Sequence, residues 1–428
     1  MGRNCLWITP KWPLPPEDGA RVATCTLIRS LTDAGEQIDL LALAGIEEVI
    51  DAEEARSRLG LRNIFVLRRA PATQNKLKLL TMCARRPLLP ITFGRYAEGR
   101  LRRAAERLFD GDPEGCDVIS RADDAPLAWE ARVYDGLHAA VPGARRGKYR
   151  PLPPKVPVIY RAHNCEGEIW LRKAEQERSG LLAAFLRYQA RRVFAFERSL
   201  LRQAAGVAAV SSEDSETLRT IWPSAETMTV PIGREFRTAS EVPGDARLKL
   251  LFLARLDWLP NRHGLEWFLA CVWPQVAASR SDLELTIAGS GESGWLAKYS
   301  DLPNLRLAGR ISNLEQLYAE HAIALAPIFY GSGTRVKAIE AACFGRACVS
   351  TALGVAGLGL ADEQSYLRAD TPEEWIDRLQ RLTHEQAARL GKAAFAELRE
   401  RFDPGRAARE FQRLLDRVCR ERFSNRAA

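Results

Sequence analysis

Short runs of apolar residues alternate with longer segments whose apolar positions recur every three or four residues along most of this chain. Such alternation predicts parallel strands covered by helices. A strand buried on both faces reads as a continuous apolar run, whereas a covering helix shows the 3.6-residue period. The runs 6–8, 38–43, 63–67, 116–119, 156–160 and 207–210 are the predicted strands of the first half. Runs 248–254, 283–288, 305–308, 323–326 and 347–350 are those of the second half. Between the halves, the polar stretch 231–245 contains Pro231, Gly233, Pro243 and Gly244 and is the best seam. The predicted fold class is therefore α/β, with two doubly wound, Rossmann-like domains at 1–238 and 239–404. After Asp403-Pro404-Gly405, residues 405–428 read as one more amphipathic helix, with Ala408, Phe411, Leu414, Leu415 and Val418 at helical spacing.

Composition narrows the class without naming a chemistry. The 428 residues are 46% hydrophobic and 27% charged, enough for two large cores and unlike a disordered chain. Nine cysteines with no C-x-x-C pair suggest neither a disulfide framework nor a zinc site, and read as reduced thiols of a cytoplasmic protein. Pro10 and Lys11 interrupt the first apolar run before a signal-peptide core could form, and no run is long enough to span a bilayer.

Charge changes the picture more. A formal charge of +8 points to an anionic partner, and its placement is uneven. From Arg62 to Arg103 there are eleven Lys or Arg and one acid, Glu98, interleaved with leucines and Phe93. A second basic stretch, 172–198, holds Arg172, Lys173, Arg178, Arg187, Arg191, Arg192 and Arg198. Cations beside apolar residues suit the anionic face of a membrane; the alternative is the solvated face of ordinary helices. No nucleic-acid reader motif accompanies the charge.

Candidate chemistry lies in the loops after strands, where open parallel sheets bind ligands. After the first strand, a Pro-rich loop reaches Gly19 at a helix start, where backbone amides favour an anion. After the strand 156–160 comes Arg161-Ala162-His163-Asn164-Cys165-Glu166, whose histidine can exchange a proton or hydrogen-bond a hydroxyl. In the second half, Arg255 follows the strand 248–254, and Gly289 and Gly291 follow 283–288. The segment after 323–326 contains Gly331-Ser332-Gly333-Thr334-Arg335-Val336-Lys337, which suits a diphosphate at a helix start. Glu340, one turn into that helix, can chelate a ribose diol. Asp110-Gly111-Asp112 has the spacing of a metal-binding pair but follows a helical segment instead of closing an apolar strand, so no metal site is predicted.

Together these blocks, with Val230-Pro231-x-Gly233, Asp257-Trp258-x-Pro260-Asn261 and Gly331-Ser-Gly333-Thr-Arg335-Val-Lys337-x-x-Glu340-Ala341, resemble a family 4 (group 1) glycosyltransferase of the GT-B superfamily. The similar branch includes exopolysaccharide-associated sugar transferases. The resemblance implies two Rossmann-like domains facing across a cleft, acceptor on the first and nucleotide sugar on the second, with the final helix crossing back to the first. It implies sugar transfer with retention of configuration, using no metal and no cofactor beyond the donor. The Glu340 block together with the basic first half points to a lipid-linked or polysaccharide acceptor. Carried over by position, Glu340 would hold the ribose, Arg255 the diphosphate, Gly19 the donor phosphates' side, and His163, with Asn164 and Glu166, the transferred sugar or acceptor. Arg335 and Lys337 are further phosphate partners by their place in the turn. Four positions depart from the pattern: Ser332 replaces a glutamate, Ala254 a glycine, His263 a lysine and Ile232 an asparagine. A GT-B sugar-nucleotide epimerase and an inactive GT-B binding protein fit the same residues.

Overall fold

The computed structural model describes residues 2–16, 19–69, 90–96, 99–123, 126–145, 148–149, 152, 156–237, 244, 247–330 and 335–427. The chain forms two compact units, one of Met1–Gly233 with Pro404–Ala428, the other of Arg234–Gly331 with Arg335–Asp403.

In the first unit, β1 (Asn4–Thr9), α1 (Gly19–Asp33), β2 (Gln37–Ala44), α2 (Ala52–Leu59) and β3 (Asn63–Arg68) build one half of a sheet. Helix α3 (Gly99–Phe109) and β4 (Val118–Arg121) follow, then β5 (Ala131–Asp135) and β6 (Val158–Ala162). The helices α4 (Glu166–Gln176) and α5 (Gly180–Leu201) pack as a hairpin before β7 (Gly206–Ala209), α6 (Ser212–Ile221) and β8 (Thr227–Thr229). Among the described residues the strand order is β8-β7-β6-β5-β1-β2-β3-β4, parallel throughout except for β4. Successive residues of a strand face opposite sides, and both sides are buried here. Leu6, Ile8, Leu41, Leu43, Phe65 and Leu67 enter one core layer. Cys5, Trp7, Leu40, Ala42, Ile64 and Val66 enter the other.

The last helix of the chain spans Pro404–Ala427 and is called αC below. Its Ala407, Phe411, Leu414, Leu415 and Val418 complete the second of these layers, with the Phe411 ring 5.4 Å from that of Trp7. Each large side chain so buried contributes about 1.5–3 kcal/mol.

The second unit runs β9 (Leu248–Leu253), α7 (Leu259–Cys271), α8 (Trp273–Ser279), β10 (Leu283–Ala288), β11 (Leu305–Gly309), α9 (Leu314–Ala319) and β12 (Ile323–Ala326). It continues with α10 (Val336–Cys343), β13 (Ala347–Ser350), β14 (Leu367–Arg368), α11 (Pro372–Arg381) and α12 (His384–Arg399). Its sheet, ordered β11-β10-β9-β12-β13-β14, is parallel throughout. The α/β class with two parallel-sheet units is thus as expected.

Four strands of the first unit differ from the expectation. β5 and β8 interrupt their apolar residues with polar ones, Arg132 and Asp135 in β5, so neither reads as an apolar run. The segment expected at 116–119 is instead Val118–Arg121, pairing antiparallel with β3. β6 extends to Ala162, which moves Arg161 from the loop into the strand. Of the nine cysteines, Cys83 lies outside the described residues and the eight others are free thiols, six of them buried.

Candidate functional site

Each sheet reverses its strand order once, and ligands of open α/β sheets bind at the carboxyl ends flanking that reversal. In the first unit β1 separates β2 from β5; in the second β9 separates β10 from β12. Both candidate clusters lie at these two places.

In the first unit, Asp135 closes β5 and Arg161 sits near the end of the adjacent β6. The Arg161 guanidinium donates to Asp135 Oδ1 at 2.6 Å, and Thr24 of α1 donates to Oδ2 at 2.6 Å. His163 Nε2 lies 2.7 Å from the same Oδ1 and 3.2 Å from Arg161 Nη1. Burial by itself would raise the Asp135 carboxyl, but the Arg161 and His163 charges and the Thr24 and His163 hydrogen bonds outweigh it and hold it well below the usual carboxylate range. His163 is therefore fixed in position by a buried carboxylate, with 16% of its side chain exposed. Gly19 opens α1, and Thr24 from the same helix joins this cluster. Asp135 and Thr24 were not among the residues expected to matter, and Arg161 was expected only as the first residue of the His163 block, with no role of its own.

Glu166 starts α4 and is hydrogen-bonded by Asn164, so the block His163-Asn164-Glu166 stays together at one strand end. Burial pushes the Glu166 carboxyl up to about 7. Behind it, Glu197 of α5 is fully buried, accepting from Tyr160 Oη at 3.0 Å and Cys165 Sγ at 3.5 Å. Burial first, then the nearby Glu166 charge, push Glu197 up to about 8. A carboxyl raised in the fold stabilises it fully below its unfolded value of about 4.5 and progressively less as pH rises through about 8. Glu197→Gln is expected to flatten this decline, which is on the order of 4 kcal/mol, in urea midpoints measured between pH 5 and 9. An unchanged pH slope in the variant would contradict the assignment.

In the second unit the turns after β9, β10 and β12 are in contact. Gly289, at φ +148°, backs so closely on the Ala254 carbonyl that a Cβ would lie 1.7 Å from its oxygen. Gly291, at φ +96°, lies against the Asp257 side-chain carboxylate, and a Cβ on Gly264 of α7 would meet the Pro327 carbonyl at 1.7 Å. Only residues without a side chain let these three turns approach. Arg255 is half exposed and paired on both forks with Asp257, at 2.7 and 3.0 Å, so a diphosphate would compete with that carboxylate for it.

Lys337, in the first turn of α10, donates to Asn261 Oδ1 at 2.5 Å, while Asn261 Nδ2 donates to the Arg255 carbonyl at 2.8 Å. Burial pulls the Lys337 ammonium down to about 8, against the opposing pull of Glu340. Glu340, three residues on, accepts from Tyr318 Oη at 3.3 Å and Arg234 Nη2 at 3.1 Å. Each carboxylate oxygen has two lone pairs, so this clamp orients Glu340 and leaves acceptor capacity for a diol. Ile339, Ala341 and Ala342 around it are buried. Arg335 sits immediately before α10. His263, where the pattern has a lysine, stands edge-on to the Phe329 and Tyr330 rings, packed among aromatics. Gly331, Ser332, Gly333 and Thr334 lie outside the described residues, as do residues 70–89 of the first basic stretch.

Asp112 accepts from the Glu114 amide in the turn after α3 and faces Arg107. Among the described residues no three His, Cys, Asp or Glu are grouped as metal ligands, and no helix is long and apolar enough to cross a membrane.

Residues 247–385 match the family described as glycosyl transferases group 1. A Klebsiella pneumoniae protein described as an uncharacterized 44.6 kDa protein in the cps region is 29% identical over 118 residues, 26% of this chain. The match spans about a third of that relative's length, 30%. Among solved structures, Anabaena HepE with UDP and glucose aligns over 97% of this chain and 99% of its own, at 13% identity and TM-score 0.62. Sucrose-phosphate synthase from Thermosynechococcus elongatus aligns over 98% and 99%, at 16% identity and TM-score 0.68. S. aureus TarM with UDP aligns over 96% and 99%, at 10% identity and TM-score 0.64. At such identities the structures speak for the fold, and the family match speaks for the second unit. The chain accordingly has the GT-B fold, and its residues 247–385 form a group 1 glycosyltransferase domain.

Proposed function

We propose that this protein transfers a sugar from a nucleotide-diphosphate donor to a hydroxyl of a lipid-linked or polysaccharide acceptor, with retention of anomeric configuration and without a metal. The observation that supports this most is the joining of Lys337, Asn261 and the clamped Glu340 at the strand reversal of a group 1 domain. UDP is bound in HepE and TarM, which supports a nucleoside diphosphate as the ligand class. The relative from a cps region supports a cell-surface glycan as the acceptor class.

In this reading Glu340 chelates the ribose and Lys337, Arg335 and Arg255 face the diphosphate. As the glycosidic bond breaks, negative charge grows on the leaving diphosphate, and fixed cations and helix-start amides lower that barrier. His163, held by Asp135, meets the transferred sugar or the acceptor hydroxyl.

The test is a panel of UDP-, GDP- and ADP-sugars screened by thermal shift, since a ligand that binds the folded state raises the melting temperature. One donor class is expected to raise it and to be slowly hydrolysed with EDTA present. Glu340→Ala is expected to weaken that nucleotide at least about tenfold, the scale of a lost charged hydrogen-bonding group. No shift with any donor would sink the proposal, and an epimer formed from donor alone, seen by NMR, would replace it with the epimerase reading.

A further inference from the structure

The second basic stretch is not absorbed by nucleotide chemistry, and the structure resolves it into a surface. Helix α5 buries Ala183, Leu186, Ala190 and Val193 against its own unit. Its opposite face carries Leu181, Phe185 and Tyr188, spaced four and three residues apart and so aligned. Leu181 is 89% exposed and Tyr188 53%, with Leu182 and Phe185 exposed beside them. Four of the ten exposed large apolar side chains among the described residues thus fall on two turns of one helix.

The stripe is edged with one sign of charge. Exposed Arg187 and Arg191 run along its flank, exposed Arg178 precedes it, and the Arg192 guanidinium lies over the Tyr188 ring at 5.4 Å. From Arg178 to Phe196 there is no acidic residue. An apolar face bordered by arginines matches an anionic bilayer on both counts, with side chains entering the acyl boundary and cations meeting the headgroups. A nucleic acid would use the cations and leave Leu181 and Phe185 in water. The two helices of the hairpin pack closely, with Gly167 of α4 directly against the Phe194 ring of α5. Helix α4 spans about 15 Å between the His163 block and the hairpin tip.

We infer that the exposed face of α5 docks this protein on the surface of an anionic lipid bilayer, without crossing it. The inference stands whether or not the proposed transfer reaction is correct. It predicts flotation of the full chain with vesicles containing phosphatidylglycerol and none with pure phosphatidylcholine, declining as salt rises. Leu181→Glu with Phe185→Glu is expected to abolish flotation. Arg187→Gln with Arg191→Gln is expected to reduce the bound-to-free ratio more than tenfold at low salt, about fivefold per cation. All these positions are solvent-facing, so unchanged circular dichroism and melting temperature will show that the variants fold. Absent flotation, equal binding to neutral vesicles, or variants that float like the wild type would each overturn the inference. A wild-type dimer by light scattering that Leu181→Glu splits, without vesicle binding, would assign the face to a second copy instead.

Discussion

Asp135→Ala is expected to lower the stability of the first unit by about 3–5 kcal/mol, the usual cost of removing one partner from a buried ion pair. Arg161 would be left with a charge buried to within 2% of complete, and Thr24 and His163 would each lose an acceptor. The change should appear as a lower urea midpoint with the slope preserved. Asp135→Asn, which keeps the shape but not the charge, should fall between. Because the Asp135 carboxyl is depressed, its contribution is present above its unfolded value of 3.8 and is lost only as pH falls through the lower folded value. The acid limb of the wild-type stability curve should therefore be shallower in Asp135→Asn. A midpoint within about 1 kcal/mol of wild type for Asp135→Ala would show that the network contributes little.

That network also marks the limit of what the sequence could say. Most strands, the closing helix and the place of Glu340 within a small-residue helix were legible because each signal is local: an apolar run, a spacing, a turn before a helix. Asp135 was not, because a charged residue interrupts an apolar run and only its partner makes it tolerable. That partner, Arg161, is 26 residues away on an adjacent strand, and Thr24 is 111 residues away on a helix. Arg234 reaches Glu340 across 106 residues, so the clamp on the carboxylate is equally invisible along the chain. By contrast the Arg255–Asp257 pair, two residues apart, was readable and would have warned that the Arg255 fork is shared. The two basic stretches differ for the same reason. Arg62 is tied to Asp39, and Arg68 to the carbonyls of Ile46 and Glu48, so part of the first is structural. The arginines of α5 instead line an exposed face.

Lys337→Met is expected to act in opposite directions on stability and on transfer. Burial lowers the Lys337 ammonium from 10.5 to about 8, so in the ligand-free fold the lysine keeps its charge at pH 7 at a cost in stability. Between pH 8 and 10.5 the unfolded chain binds more protons than the folded one, and stability should rise with pH across that window. At pH 7 the penalty remains in full, and methionine, similar in length and uncharged, should relieve it by on the order of 1–3 kcal/mol. A residue kept for packing would not show this sign. The charge is useful only once a diphosphate arrives, when the anion restores the ammonium's preference for its site. Removing it should cost about 10²–10³ in transfer rate, as losing one donor aimed at a developing anion does. Nucleotide affinity in the wild type should weaken above pH 8 as the ammonium fraction falls, with proton uptake on binding visible when calorimetry is repeated in buffers of different ionisation enthalpy. Lys337→Met should lose both the pH dependence and the uptake while melting higher than the wild type. A variant that melts lower, or that transfers sugar at the wild-type rate, would show that Lys337 serves the core and not the leaving group.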